Sequence, residues 1–152
     1  MHFGDRRTFL AAVAGAGLRA AAERAREAVS AAGTDPRVRL LALADAYVDF
    51  VQSEPHLHDL AYGPTVAMRD HPRLQAAAVE YWDLLVEVVS ACQPSHVPGQ
   101  EVLNRSVAVW GLVYGIALLD THQKIPKTVL TDPRSLLRVA LDALHRGWHE
   151  TT

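Results

Sequence analysis

The sequence predicts an all-α fold, a helical bundle of five long helices plus one short helix, and three observations lead to that prediction. Several long stretches repeat apolar residues at a spacing of three or four, which is the period of an amphipathic helix. No window shows the sustained alternation of apolar and polar residues that is typical of a strand. The segment 107–119 carries no charged residue and no side-chain amide, so its helix should be buried on nearly every side.

Length and composition set the broad class of the protein. A chain of 152 residues that is 49% apolar fits a single domain over residues 1–152 with a substantial core. The net charge of −2 gives no support for a nucleic-acid-binding surface. The single cysteine, Cys92, rules out an internal disulfide and fits a reducing compartment. Residues 1–10 lack the apolar core of a signal peptide, and no run reaches transmembrane length, so we expect a cytoplasmic protein without a membrane partner.

The first helix is predicted from about Arg6 to Ala32, with Asp5 as its N-cap and Gly33 as its end. It is rich in alanine, and its larger apolar residues lie in its first half. These are Phe9, Leu10, Val13 and Leu18. Because arginines and glutamates follow them, we expect this helix to be packed at its N-terminal end and solvated at the other.

The second and third helices have clear start and stop signals. Residues 34–37, Thr-Asp-Pro-Arg, place Asp at a cap and Pro at the first helical position, and the same four residues recur at 131–134. They predict a helix over about 37–53, which Pro55 ends. A short helix over 56–62 should follow and stop at Gly63, with residues 65–70 forming a loop or a single turn.

The last three helices are predicted at about 73–92, 100–121 and 133–149, since Pro72 opens the first and Asp132 caps the last. The middle helix contains Gly111 and Gly115. Each mid-helix glycine costs about 1 kcal/mol relative to alanine. The pair therefore predicts that another helix packs at close range.

The aromatic residues lie on core-facing stripes and have two interpretations. A packed core is the ordinary expectation for any one of them. However, Tyr47, Tyr81 and Tyr114 come from three different helices, and each buried hydroxyl needs a hydrogen-bond partner. Three converging tyrosines suit the wall of a cavity better than the interior of a core.

Metal binding, catalysis and cofactors have little support. His56 and His58 face opposite sides of a helix, and no carboxylate or cysteine completes a metal-ligand pattern around His145 and His149. No serine lies in a nucleophile elbow, and no glycine-rich loop follows a strand. We therefore expect no metal, no cofactor and no enzymatic activity.

Three segments together resemble the TetR family of transcriptional regulators. Residues 110–120, WGLVYGIALLD, resemble the Trp-containing helix of that family's effector-binding half, and residues 40–62 are similar to the same half. Residues 2–10, HFGDRRTFL, look like the junction where the family's recognition helix ends and its connecting helix begins. The resemblance covers the whole chain, and it departs from the family at Tyr114, where the family often carries His.

The resemblance implies a domain that binds a small, mostly apolar effector molecule and forms a homodimer through a four-helix bundle. The ligand-binding residues it implies are Tyr47, Val51, His58, Tyr62, Met68, Tyr81, Leu85, Trp110 and Tyr114. The dimer-interface residues it implies are Val109, Val113, Ile116, Leu137, Leu141, Leu144 and Trp148.

The same resemblance bears on DNA. Residues 1–5 would be a remnant of the recognition-helix end, and the three DNA-reading helices would precede Met1. DNA is then a partner only where those helices are present, because Arg6 and Arg7 could contact only phosphate. Two alternatives stand beside this function: a dimerisation-only module that pairs with a full-length homologue, and, ranked last, a small helical enzyme.

Overall fold

The computed structural model describes residues 3–150 and confirms the all-α prediction. The helices are α1 (Phe3–Ala31), α2 (Pro36–Ser53), α3 (Pro55–Tyr62), α4 (Pro72–Ala91), α5 (Gly99–Thr121) and α6 (Pro133–His149). A single 3₁₀ turn, Met68–Asp70, lies between α3 and α4, and no strand occurs among the described residues. The predicted boundaries of α2 to α6 agree with these to within one residue.

The repeated Thr-Asp-Pro-Arg segments start helices as predicted. The Asp35 carboxylate accepts a hydrogen bond from the Arg37 backbone N–H at 2.9 Å, and the Asp132 carboxylate accepts one from the Ser135 N–H at 3.0 Å. These bonds satisfy backbone donors that a helix start leaves without partners. Gly33 follows α1 with φ +88°, a left-handed conformation that ends the preceding helix at little cost only in glycine.

The predicted start of α1 is wrong. The helix already includes Phe3, so Asp5 lies in its first turn and not at the cap. In the first turn its negative charge still interacts favourably with the positive end of the helix dipole. Met1 and His2, part of the expected recognition-helix remnant, lie outside the described residues, and residues 3–5 belong to α1.

The packed face of α1 also differs from the prediction. Phe9 and Val13 are 62% and 38% exposed, and the buried stripe extends to the C-terminal half of the helix. Its members are mostly small: Ala11, Ala14, Leu18, Ala21, Ala22, Ala25 and Val29. Small side chains let α1 lie close to α3 and α4. A Cβ at Gly15 would be 3.4 Å from the Leu74 backbone, for example.

Helix α6 is attached to the bundle by apolar and ionic contacts. Leu137 and Leu141 are each 1% exposed and belong to the core. Beside them, ion pairs join α6 to α2. Arg37 donates two hydrogen bonds, of 2.7 and 2.9 Å, to the Asp142 carboxylate, and Arg134 pairs with two aspartates of α2.

Helix α5 is less covered than predicted, since only 28% of its most apolar 18-residue stretch is buried. Val107 and Leu119 are exposed, and a Cβ placed at Gly111 or Gly115 would meet no atom within 4 Å. The close neighbour predicted from those glycines is therefore not supplied by the described part of the chain. Among the described residues, α5 is the one helix whose length and composition would allow it to cross a membrane, contrary to the expectation that no segment is long enough.

Candidate functional site: an apolar cavity between α2, α4 and α5

A cavity of about 310 Å³ lies between α2, α4 and α5, with α3 and the 3₁₀ turn completing its wall. Its volume is at the lower end of the range of roughly 300–1,000 Å³ that small-molecule sites occupy. The lining residues are Leu40, Leu43, Ala44, Tyr47, Tyr62, Met68, Gln75, Ala78, Val79, Tyr81, Trp82, Leu85, Val109, Trp110 and Val113.

The spacing of the lining residues follows from helix geometry. Those of α2 lie at 40, 43, 44 and 47, and those of α5 lie at 109, 110 and 113. Residues three and four apart share one face of a helix, so each of these helices contributes one face to the wall. Helix α4 contributes a broader face over positions 75–85, because it forms both the inner wall and part of the rim.

The chemistry of the wall is apolar and uncharged. Five aromatic side chains line the cavity, and no Asp, Glu, Lys, Arg or His is among the lining residues. Gln75, which is exposed, supplies the one amide. A cavity of this kind favours an apolar molecule and penalises a charged one, because a buried charge without a partner loses its hydration.

A chain of hydrogen bonds lies behind the wall. The Trp110 indole N–H donates to the Tyr47 hydroxyl at 3.3 Å, and that hydroxyl lies 2.6 Å from His58 Nε2. Burial lowers the pKa of His58 and raises the pKa of Tyr47, so both side chains are neutral near pH 7. Tyr47 can then accept from Trp110 and donate to Nε2, which places the His58 proton on Nδ1. Nδ1 has no hydrogen-bond partner among the described residues.

Six of the nine predicted ligand-binding residues line the cavity: Tyr47, Tyr62, Met68, Tyr81, Leu85 and Trp110. Val51, His58 and Tyr114 do not. Val51 and Tyr114 each lie four residues beyond a lining residue, so they share its helix face but are one turn past the end of the cavity. The Tyr114 ring instead packs 5.1 Å from the His58 ring and 6.5 Å from the Tyr47 ring, in a second layer.

Nine lining residues were not predicted as ligand contacts. They are Leu40, Leu43, Ala44, Gln75, Ala78, Val79, Trp82, Val109 and Val113. Helical spacing could have indicated five of them, which lie three, four or seven residues from Tyr47, Tyr81 or Trp110: Leu40, Leu43, Ala44, Ala78 and Val113. The other four lie one, two or six residues from those aromatics, so this spacing could not have indicated them: Gln75, Val79, Trp82 and Val109.

The structure places four predicted interface residues inside the chain. Val109 and Val113 line the cavity, and Leu137 and Leu141 are core residues, so the assignment of these four to a surface between subunits is corrected. Each of these residues lies in the middle of the apolar face of its helix, and other parts of the same chain already bury it. Ile116, Leu144 and Trp148 are half-buried at the edge of the core.

An apolar surface is nevertheless exposed on the two helices that were expected to form the interface. We call it the α5/α6 surface, and its most exposed apolar or small members are Val107, Ala108, Gly111, Leu119, Val139, Ala143 and Gly147. A Cβ at Gly147 would meet nothing within 4 Å, as at Gly111. The described part of the chain therefore does not cover this surface.

Outside the cavity, the histidine and cysteine side chains that could be reactive are held in contacts between helices. The His149 Nε2 atom lies 2.7 Å from the Cys92 carbonyl oxygen, and the Cys92 thiol donates to the Pro36 carbonyl at 3.4 Å. Burial raises the pKa of the Cys92 thiol to about 11, which keeps it protonated and unreactive. In the described part of the chain, no group of three or more His, Cys, Asp or Glu residues is arranged to hold a metal ion.

Comparison with known proteins agrees with this architecture. The family model described as "Tetracyclin repressor-like, C-terminal domain" matches residues 40–144, more than half of the chain. A solved structure, described as a protein with unknown function from Rhodococcus sp. RHA1, shows the same fold with a TM-score of 0.80 and 24% identity, covering 98% of this chain and 77% of that one. No curated protein matches the chain. By the extent of the family match, this chain belongs to the tetracyclin repressor-like (TetR) family, as a C-terminal domain of that family.

Proposed function

We propose that this domain binds a small, mostly apolar effector and pairs with a second copy of itself, as the ligand-binding and dimerisation domain of a TetR-like regulator. The observation that carries the proposal is the cavity of about 310 Å³ whose lining residues carry no charge. A concave, mostly apolar site of this size with a few polar groups is the usual form of a small-molecule pocket. The expected localisation is cytoplasmic, and the proposal needs no cofactor and no catalytic step.

Two contacts support a route from the cavity to α1. The Tyr47 hydroxyl on the wall is hydrogen-bonded to His58 of α3, and the adjacent Leu57 lies against Gly17 of α1, where a Cβ would be 2.7 Å from Leu57 Cδ1. A ligand that displaces Tyr47 or Trp110 would disturb α3 and, through Leu57, the position of α1. In a regulator that carries DNA-reading helices before α1, such a shift between two populations would change their spacing.

A co-purification experiment tests ligand binding. The protein is purified, extracted into organic solvent and examined by mass spectrometry beside the variant Ala78→Phe, which fills the cavity from α4. We expect a compound that is present with the parent protein and at least tenfold reduced with Ala78→Phe. Ala76→Phe is the matched control, because Ala76 is exposed on the same helix and does not line the cavity.

If Ala78→Phe folds normally and neither protein carries a ligand, and if apolar dyes also fail to bind, the cavity is not a ligand site. The dimerisation-only module would then be the better interpretation. The exposed α5/α6 surface is the observation that favours that alternative.

For pairing, we propose that the α5/α6 surface of one chain packs on that of a second copy, which would form a four-helix bundle about a two-fold axis. The absence of bulky side chains at Gly111, Ala143 and Gly147 would allow the helices to approach closely. Pairing would also cover Val107 and Leu119, which are exposed apolar residues in a single chain.

Analytical ultracentrifugation tests the pairing. We expect a dimer at micromolar concentration, and a monomer for the variant Val107→Asp, because a partner would enclose an unpaired charge at that position. Val13→Asp is the control, since Val13 is an exposed apolar residue on α1, away from this surface. A monomeric parent protein would contradict the proposal.

We further propose that this chain alone does not read DNA sequence. The exposed Arg6 and Arg7 can attract phosphate, which gives non-specific binding with Kd values of about 10⁻⁴–10⁻⁶ M at physiological salt. Fluorescence anisotropy with DNA from the encoding locus, at two salt concentrations, tests this. Nanomolar, sequence-dependent binding would overturn it.

A further inference from the structure

We infer that the cavity selects an uncharged aromatic molecule that carries one hydrogen-bonding oxygen, held by the Tyr62 hydroxyl and the Gln75 amide. This inference rests on the proposed ligand-binding function and specifies the chemical class of the ligand. It follows from three properties of the wall: its charge, its ring content and the state of each of its polar atoms.

The charge of the wall excludes carboxylates and ammonium ions as preferred ligands. None of the lining residues carries a charge, so an ionic ligand would leave water without gaining an opposite charge. Aromatic rings attract cations, but this attraction is weaker than the hydration that a primary ammonium loses on burial without a carboxylate beside it. A neutral molecule has no such cost.

The rings of the wall favour an aromatic ligand. Tyr62 and Trp110 pack edge to face with ring centroids 5.4 Å apart, Trp82 lies 6.3 Å from Trp110, and Tyr47 lies 5.9 Å from Tyr81 in an edge-to-face arrangement. All of these rings line the same cavity. A planar aromatic molecule gains offset or edge-to-face contacts there beyond those of an aliphatic chain of equal area.

The polar atoms of the wall divide into engaged and available groups. Tyr47 and Trp110 are engaged in the hydrogen-bond chain to His58. The Tyr81 hydroxyl has no partner in the described chain, but it is fully enclosed by protein.

The Tyr62 hydroxyl and the Gln75 amide remain. Among the described residues, neither side chain makes a hydrogen bond, and the Tyr62 pKa is raised by burial with no hydrogen bond contributing to the shift. Together these two groups offer donors and acceptors. They complement a hydroxyl or carbonyl oxygen on the ligand.

Isothermal titration calorimetry with four probes of similar shape tests the inference. The probes are 4-propylphenol, propylbenzene, 4-propylbenzoate and 4-propylbenzylammonium at pH 7. We expect 4-propylphenol to bind about tenfold more tightly than propylbenzene, the gain of one or two net hydrogen bonds. Both ions should bind at least tenfold more weakly than 4-propylphenol. Equal or tighter binding of either ion would overturn the inference.

Variants assign the selectivity to the two side chains. Gln75→Leu and Tyr62→Phe should each reduce the preference for 4-propylphenol over propylbenzene, while propylbenzene binding changes less than twofold. Gln100→Leu, an exposed glutamine at the start of α5, is the matched control and should keep the preference. If the preference survives both cavity variants, Tyr62 and Gln75 do not hold the ligand.

The outcomes separate this inference from the function on which it rests. If propylbenzene and 4-propylphenol bind equally and Ala78→Phe abolishes both, the cavity is a ligand site but the hydrogen-bonding selection is wrong. If no probe binds and no ligand co-purifies, both the function and the selection are wrong.

Discussion

His58 is 1% exposed, and its Nδ1 atom has no hydrogen-bond partner among the described residues. A buried polar group without a partner costs about 1–3 kcal/mol. The Nε2 atom, by contrast, fixes the Tyr47 hydroxyl, which in turn receives the Trp110 N–H. We interpret His58 as a residue that orients two rings of the cavity wall at some cost in stability.

This burial predicts a pH dependence of stability. The folded-state pKa of His58 is lowered by burial, so the unfolded chain, with an ordinary histidine pKa of about 6.5, binds the proton more tightly. Stability is therefore full above about pH 6.5 and falls as the pH drops below it, by up to about 1.4 kcal/mol per pH unit for one proton. Urea unfolding at pH 5 to 7.5 measures the slope.

The variant His58→Gln should flatten that slope. The exposed His56→Gln on the same helix is the control and should follow the parent curve. Burial also lowers the pKa of His145, so a residual slope is expected in His58→Gln. An unchanged slope in that variant would show that His58 does not control the acid response.

At the scale of elements, two kinds of contact hold α6 on the bundle, a buried leucine and a surface ion pair, and they should contribute unequally to stability. Leu141 is a core residue, and the neighbouring Asp142 forms a two-bond ion pair with Arg37 on the surface. The pair lowers the pKa of Asp142, but both of its members are partly in water, which weakens their attraction. Burial of the leucine should therefore outweigh the ion pair.

Two neighbouring substitutions test this comparison. Leu141→Ala should lower the free energy of unfolding by about 2–5 kcal/mol, because it removes buried methyl groups and leaves a cavity. Asp142→Asn should lower it far less. Equal effects in urea unfolding would mean that the ion pair, and not the core, attaches α6.

The helix starts could be predicted because their causes are local. A cap carboxylate and a following proline act within three residues, as Asp35 and Asp132 show. The packed face of α1 could not be predicted from residue size, because its neighbours select alanines for close approach and leave Phe9 exposed. Which face of α1 is packed depends on the distances between helices, and these distances cannot be predicted from the sequence of one helix.

The sequence predicted that tyrosines would line an apolar cavity, but it predicted only some of the lining residues. Tyrosines from α2 and α4 do meet at a cavity. Tyr114 and Val51 lie one turn too far along their helices, because sequence periodicity gives the face of a helix and not the height at which helices separate. For the same reason Val109 and Val113 were assigned to a dimer interface, although they face the cavity.

For the whole molecule, the proposed pairing predicts that thermal stability depends on protein concentration. If two chains dissociate as they unfold, a hundredfold increase in concentration stabilises the dimer by roughly 2.7 kcal/mol. For two chains of this length, the Tm should then rise by about 4 °C. Calorimetry at two concentrations measures the shift. Val107→Asp should abolish it, and a parent Tm that does not move would contradict pairing during unfolding.

The single thiol of Cys92 makes the protein suitable for measuring a motion outside the cavity. Its thiol donates a hydrogen bond to the Pro36 carbonyl oxygen, and its own carbonyl oxygen accepts one from His149 Nε2 when that nitrogen is protonated. The beginning of α2 and the ends of α4 and α6 therefore meet at Cys92. A thiol reagent can reach Cys92 only after these helix ends separate. The labelling rate, relative to that of the unfolded chain, therefore gives the free energy of this local opening, as hydrogen exchange does for an amide. A single natural residue thus reports on the local opening of the bundle, and no engineered probe is needed.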